Sequence, residues 1–280
     1  MRHLFPPFSK TLRRGVGALQ FLSKKPILDQ ICADIVAGLV PSNVQGDQGP
    51  VWVYMGVHKR FGAEWMRRGL KIAVQTEQFY DESGHPLWAS RNRRFCKAVL
   101  SALKRCDVLL DLSASNERFY QEYAPDLANK IIYGPHIFPT VPPEFCPASD
   151  PRLIFFGALN ARRKAALDGY AERACGLDGQ YFNEDLLTAL RPYAGVLNLH
   201  FDAGTYTEAP RLLSAMRAGK VMVSEPLASG LVAGQHYFKL GAEFDETQAR
   251  ETFEACATYL CETYEFQTFL DGVLRVNAAL

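Results

Sequence analysis

Short apolar runs alternate with longer amphipathic stretches along most of the chain. Val51–Met55, Leu70–Gln75, Asp107–Leu112 and Lys130–Tyr133 read as strands. Between them a short helix reaches Arg68, a longer one covers Leu87–Lys104, and another runs through Tyr123. Strands at this spacing, separated by helices, predict a parallel sheet covered by helices. From Tyr133 to Pro151 the pattern stops. YGPHIFPTVPPEFCPASDP holds six prolines, the composition of a domain linker. A second array begins with the apolar strand Arg152–Phe156 and continues through a helix over Tyr181–Arg191. It leads into Gly195–Pro226, GVLNLHFDAGTYTEAPRLLSAMRAGKVMVSEP. There Val196–Leu199 is a strand, Thr207 a candidate N-cap, and Ala209, Leu212, Leu213 and Met216 share one helical face. Gly219 ends that helix and Lys220–Ser224 returns as a buried strand. Leu227–Ala242 is loop-rich, and closing helices start near Glu246.

The first residues follow a different pattern. MRHLFPPFSK is Pro-rich and irregular. Ser9–Lys24 predicts a helix with Leu12, Val16, Leu19, Phe21 and Leu22 apolar, Ile27–Leu39 a second helix, and Pro41–Pro50 a polar loop. Six Lys or Arg precede the first acid, Asp29. The first helix is either an ordinary amphipathic helix on a sheet or a membrane-surface element giving peripheral membrane contact through residues 9–25. The predicted organisation is a helical extension over 1–45, an N-terminal α/β domain over 46–145 and a C-terminal one over 146–280.

Composition narrows the class. With 48% hydrophobic and 22% charged residues, a 280-residue chain buries a full core and is not generally disordered. The net charge of +1 names no partner, but its distribution is uneven. Residues 1–145 carry 19 Lys+Arg against 13 Asp+Glu, and the remainder 12 against 17. Facing domains of opposite sign, an anion-binding first half and an uneven solvated surface all fit this. The basic residues are scattered without a nucleic-acid motif, so no nucleic-acid partner is expected. Seven cysteines form no C-x-x-C pair, which with the lack of a secretory signal leads us to expect free thiols, a cytoplasmic location and no metal site. Cys106 and Cys256 read as core residues. No apolar run approaches the roughly 20 residues of a membrane-spanning helix.

Candidate chemistry clusters where strands end. Gly56-Val57-His58-Lys59-Arg60 follows the first strand, a glycine turn suited to an anion or an acceptor sugar. Glu77, in Thr76-Glu77-Gln78 at the next strand's carboxyl end, is a candidate general base or a loop carboxylate in water. Gly157 to Lys164 runs from strand to glycine turn to a helix N-terminus with three consecutive bases, Arg162, Arg163 and Lys164. Helices favour acids in their first turn, so this turn reads as a phosphate site or as a solvated basic one. In α/β folds ligands bind beyond the carboxyl ends of parallel strands, which brings His200, Glu208, Arg211, Ser224 and Glu225 toward one crevice.

FFGALNARR after a Pro-rich linker, followed by LNLHFD and TEAPRLLSAMRAGKVMVSEP, resembles the C-terminal half of GT-B glycosyltransferases of the "glycosyl transferases group 1" type and their spore-maturation-like relatives. The resemblance covers Leu153–Glu225 and leaves residues 50–145 as a Rossmann-like pattern. It implies an α/β fold of two Rossmann-like domains facing across a cleft, the N-terminal one short and divergent. It also implies transfer of a sugar from a UDP- or GDP-type donor to an acceptor such as a glycan, a lipid-linked glycan or a small molecule, without a metal or other cofactor. By motif position, Gly157 and Asn160 belong to the close-approach turn, Arg162 or Arg163 faces the diphosphate, and His200 lines the donor pocket. Gly204, Glu208 and Arg211 open the helix beside ribose and phosphates, and Ser224 and Glu225 close the crevice. His58 and Glu77 are the candidate bases on the acceptor side, with His200 as a third catalytic candidate. The family carries two glutamates eight positions apart; here those places hold Tyr206 and Ser214, which leaves Glu208 as the substitute or the chain as an inactive relative.

Overall fold

The computed structural model describes residues 11–39 and 49–278. The irregular start and most of the Pro41–Pro50 loop lie outside them. Strands β1 (Leu12–Val16) and β2 (Leu19–Ser23) form a hairpin, followed by helix α1 (Pro26–Gly38). Then come β3 (Val51–Met55), a 3-10 turn at Gly62–Met66, β4 (Leu70–Gln75), α2 (Trp88–Arg91), α3 (Arg93–Leu103), β5 (Val108–Asp111), α4 (Glu117–Tyr123) and β6 (Ile131–Tyr133). Beyond the Pro-rich stretch lie β7 (Asp150–Phe155), α5 (Ala161–Asp168), β8 (Ala174–Gly176), α6 (Glu184–Leu190), β9 (Tyr193–Asn198), α7 (Ala209–Arg217), β10 (Val221–Ser224) and β11 (Phe238–Lys239). Helices α8 (Glu246–Tyr264) and α9 (Phe266–Ala278) close the chain.

The strands make two sheets. The first has the order β1-β2-β3-β4-β5-β6, parallel except for the β1–β2 hairpin. The second is parallel throughout, in the order β11-β10-β9-β7-β8. Central strands such as β3 and β10 are buried along their whole length, as helix-covered parallel strands must be.

The helix expected over Ser9–Lys24 is a correction: over its described part the chain is the β1–β2 hairpin. Leu12, Arg14 and Val16 alternate in burial with Arg13 and Gly15, a period of two. Gly15 and Gly17 disfavour a helix interior, and Gly17 turns the chain with φ at +55°. The Leu19–Ser23 strand then pairs in parallel with β3 and is part of the sheet. The long helix over Leu87–Lys104 is also broken. Asn92 stands between α2 and α3, and its side chain accepts from the Arg94 and Phe95 N–H groups to cap α3. At α7 the N-cap is Glu208 and not Thr207, whose hydroxyl instead accepts from the Ala228 N–H.

One apolar cluster joins the two sheets. Ile31 and Ile35 of α1, Leu212, Leu213 and Met216 of α7, and Phe253, Phe266 and Phe269 of α8 and α9 all belong to it. The last helix returns to the first sheet. The Phe266 ring lies 5.7 Å from that of Phe21, and Phe138 and the 264–266 turn exchange backbone hydrogen bonds. Phe266→Ala should therefore lower stability by about 3–5 kcal/mol in a denaturant titration; a loss under about 1 kcal/mol would mean that α9 packs only loosely on that sheet.

Candidate active site

The carboxyl ends of the two sheets face each other across a cavity of about 400 Å³. That size is ordinary for a small-molecule site, for which roughly 300–1,000 Å³ is typical. The first half supplies Ile27, Leu28, Gln30 and Ile31 from α1, Thr76, Glu77 and Gln78 after β4, and Leu87 and Trp88. The second half supplies Phe156, Gly157 and Ala158 after β7, Arg163 from α5, Phe201 and Tyr206 after β9, and Glu208, Pro210, Arg211 and Ser214 around α7.

Two buried guanidinium groups dominate the second side. Arg163 is 4% exposed and donates to the carbonyls of Leu199 (2.8 Å) and Ala158 (2.9 Å). Arg211 donates to Asn198 Oδ1 (2.5 Å) and the Leu199 carbonyl (3.3 Å). Glu208 bridges them, Oε1 to Arg163 Nη2 and Oε2 to Arg211 Nη1, each at 2.5 Å. Burial lowers the affinity of Arg211 for its proton, an effect the Glu208 carboxylate opposes. Asn198 is fixed in turn by donating to Ser224 Oγ (2.8 Å), so a chain of polar contacts runs from β10 through β9 to the cavity. Gly157 adopts φ +117°, and a Cβ there would come within 2.9 Å of Arg211 Nη2. Only glycine lets that backbone approach the guanidinium so closely.

On the first side, Glu77 is the acid of interest. Burial pushes its carboxyl up to about 7; Lys59 opposes the shift and Glu208 across the cavity adds to it. His58 Nε2 lies 3.4 Å from Glu77 Oε1. Burial, with Lys59 nearby, pushes the imidazole down to about 3, so His58 is neutral at pH 7. The loop carrying Glu77 is held by Asn116, which donates to the Glu77 carbonyl (2.9 Å) and accepts from the Phe79 N–H (2.7 Å). Asn116 is oriented by the buried Asp111, which also takes the Tyr120 hydroxyl at 2.6 Å.

Two sets of contacts fix the halves against each other. At one rim, Asp202 accepts from the Trp88 N–H (2.6 Å) and Arg91 (2.8 Å), and Gln78 donates to the Thr207 carbonyl (2.8 Å). At the other, the buried Asp34 of α1 accepts from Ser214 Oγ and Arg217 Nη1, both at 3.3 Å. Burial pushes the Asp34 carboxyl up to about 6 despite those bonds.

The fold has a counterpart among solved structures. HepE of Anabaena, solved in complex with UDP and glucose, is similar in structure, with a TM-score of 0.52 and 7% identity over 89% of this chain and 81% of its own. The fold is of the GT-B type. A chain from the accessory secretory protein 1, 2 and 3 structure of Streptococcus pneumoniae is more distant, with a TM-score of 0.47 and 11% identity over 81% of this chain and 52% of that one. No protein-family model and no curated protein matches the sequence.

The candidate residues separate into those around the GT-B cleft and those behind it. Gly157, Arg163, Glu208, Arg211 and Glu77 line the cavity. His58 stands behind Glu77. Arg162 pairs bidentately with Glu225, whose Oε2 also takes the His200 N–H (2.6 Å). The arginine and that N–H outweigh burial and hold the Glu225 carboxyl below its ordinary value. Asn160 caps α5, accepting from the Arg163 N–H (2.8 Å) and donating to the Phe201 carbonyl (2.7 Å). The three bases at the α5 N-terminus are thus accounted for locally: Arg162 and Arg163 meet glutamates from other segments, and Lys164 faces solvent. His200 is fully buried, its ring edge-on to Tyr206 at 4.1 Å with both nitrogens lacking a hydrogen-bond partner among the described residues, and burial pushes it down to about 4. Ser224 is buried behind Asn198, and Gly204 packs against Asp81 at the interdomain rim.

Several lining residues carry no sequence signal. Trp88 lies within the expected Leu87–Lys104 helix and Phe156 ends the expected Arg152–Phe156 strand, neither marked as a site residue, and α1 reads as part of the extension. Asn198 sits inside the Val196–Leu199 run and gives no sign in the sequence that it orients Arg211. Among the described residues, no cluster of three or more His, Cys, Asp or Glu is arranged to hold a metal, and no helix is long and apolar enough to cross a membrane.

Glu77 generates a pH prediction. A carboxyl that keeps its proton to about pH 7 when folded, against an ordinary 4.5, makes folding less favourable as pH rises through that window. The melting temperature of Glu77→Gln relative to wild type should therefore climb between about pH 4.5 and 7 and level off above. A difference that stays flat with pH would show Glu77 titrating like a solvated carboxyl.

Proposed function

We propose that this chain is a glycosyltransferase that moves a sugar from a nucleoside diphosphate donor, UDP- or GDP-linked, to an acceptor bound on the side of the first sheet. The observation that carries the reading is the Arg163–Arg211 pair in a cavity beyond the carboxyl ends of parallel strands, with Glu77 on the opposite wall. A diphosphate leaving group needs positive charge as the glycosidic bond breaks, and preorganised guanidinium groups in a water-poor cleft supply it. In this reading no metal is required. The likeness to a protein solved with UDP and glucose supports the same donor class. The FFGALNARR and TEAPRLLSAMRAGKVMVSEP segments support kinship with group 1 and spore-maturation-type enzymes.

Glu77 suits the role of general base. A carboxyl with an ordinary value of 4.5 is nearly always ionised at neutral pH and is a weak base; one moved to about 7 is a stronger base and still half ionised. It would take the proton of the acceptor hydroxyl as that oxygen attacks the anomeric carbon and the diphosphate departs, an inverting displacement. The acceptor is a glycan, a lipid-linked glycan or a small molecule, and the enzyme acts in the cytoplasm or at a membrane's inner face.

A second reading is a nucleotide-sugar-binding module without turnover. It is favoured by Ser214, which stands where the family carries a glutamate and is engaged with Asp34 instead of the cavity's contents.

A panel of UDP- and GDP-sugars should raise the melting temperature, by about 2.7 kcal/mol of added stability at a hundredfold excess over Kd. Arg211→Ala should abolish most of that shift; a panel without effect at millimolar concentration would sink both readings. Glu77→Gln should still bind donor and should slow transfer or donor hydrolysis by roughly 10²- to 10⁴-fold, whereas a wild-type protein that binds donor and never turns it over would favour the second reading.

A further inference from the structure

We infer that Arg163 and Arg211 form a single anion-binding site whose resident anion is the chain's own Glu208 carboxylate, and that a diphosphate enters by displacing it. Calling the incoming anion a donor diphosphate rests on the reading above; the displacement itself rests on the geometry alone.

Each guanidinium is anchored without Glu208. Arg163 is held by two backbone carbonyls, and Arg211 by the Asn198 side chain and the Leu199 carbonyl. Removing the carboxylate would leave both groups in place with their donors directed at the cavity. Glu208 has weaker moorings. It is the N-cap residue of α7, yet its side chain caps nothing, and the two arginines are its only hydrogen-bonding or ion-pairing contacts among the described residues. Its two oxygens meet two different arginines, the arrangement in which a phosphate group is bound by a pair of guanidinium groups. Among the described residues Arg211 Nε is buried without a hydrogen-bond partner, a further donor in the cluster. A buried cation pair without any counter-anion would be costly, which explains why an internal carboxylate stands there.

The site therefore discriminates. A carboxylate-like monoanion offers the arginines little that Glu208 does not already provide, and a monophosphate, with a charge of about −1.5 to −2 near pH 7, offers less than a diphosphate. A diphosphate carries more charge and more acceptor oxygens, and it competes successfully. Glu208 thus sets the threshold of charge an occupant must bring, and with it the preference for nucleoside diphosphates over monophosphates.

The test is calorimetric titration of the full chain with inorganic pyrophosphate, UDP, GDP and UMP at fixed ionic strength. Glu208→Gln should bind pyrophosphate roughly ten- to a hundredfold more tightly than wild type, because no ionised carboxylate has to be displaced. Glu77→Gln removes a charge from the same cavity without freeing either arginine and serves as the control. The gain in Glu208→Gln should exceed that in Glu77→Gln several-fold, and the preference for UDP over UMP should shrink only in Glu208→Gln. Equal gains in the two variants, or unchanged or weaker binding in Glu208→Gln, would overturn the displacement. Should Glu208→Gln fail to fold, Glu208→Asp, too short to span both arginines, should move affinity in the same direction; no gain there would also overturn it. Tighter pyrophosphate binding by the variant with no binding of UDP or GDP to either protein would uphold the displacement and reject the donor reading. Binding of UDP or GDP with no gain in Glu208→Gln would do the reverse.

Discussion

Two guanidinium groups buried at the end of a parallel sheet set the terms for the rest of this structure. Taking Arg163 and Arg211 out of water would be prohibitive without anions and hydrogen-bond acceptors around them. The fold meets that demand with the Glu208 carboxylate, the carbonyls that β7 and β9 leave unpaired at their ends, and Asn198 anchored on Ser224. The same demand explains Gly157, because a side chain there would strike Arg211. It also explains why three bases tolerate a helix N-terminus: two of them are counter-charged by glutamates from elsewhere in the second half. Both guanidinium groups are thus held in place on one wall of the cleft, with Glu208 as their counter-anion.

The opposite wall is built to a different rule. It presents a carboxyl whose burial raises its basicity, with the neutral His58 imidazole 3.4 Å away. The buried Asp111–Asn116 pair fixes the loop that carries it. The two walls act together only because the halves are tied. Asp202 bridges to Trp88 and Arg91 at one rim, α1 packs its Asp34 against Ser214 and Arg217 at the other, and α9 returns to the first sheet. Part of the charge asymmetry seen in the sequence is used in these interdomain pairs.

Much of the second half was legible from local pattern, since its strands are continuous apolar runs and its helices end at glycines such as Gly219. The α/β class and the GT-B arrangement followed from that pattern and its resemblance. The β1–β2 hairpin was not legible because Leu12, Val16 and Leu19 satisfy a helical spacing as well as an alternating one, and only Gly15 and Gly17 decide between them. The site was legible at Arg163, Glu208, Arg211 and Glu77, where charged residues follow the carboxyl ends of apolar strands. It was not legible in who pairs with whom. Arg162 and Arg163 look alike in sequence, yet one turns away to Glu225 while the other turns into the cavity, a choice made by tertiary contacts to His200, Leu199 and Ala158. Ser214 stood out as a missing glutamate; that Asp34 from the other half would engage it required the packing of α1 on α7.

The most direct measurement of the central claim is a crystal structure of the protein soaked separately with UDP and with GDP. The account predicts that one of them places its diphosphate in the cavity, with phosphate oxygens within hydrogen-bonding distance of both Arg163 and Arg211, Glu208 turned away from them, and Glu77 facing the outer phosphate. A nucleotide bound elsewhere on the surface, or one in the cavity with the Glu208 bridge intact and its diphosphate away from both arginines, would contradict it.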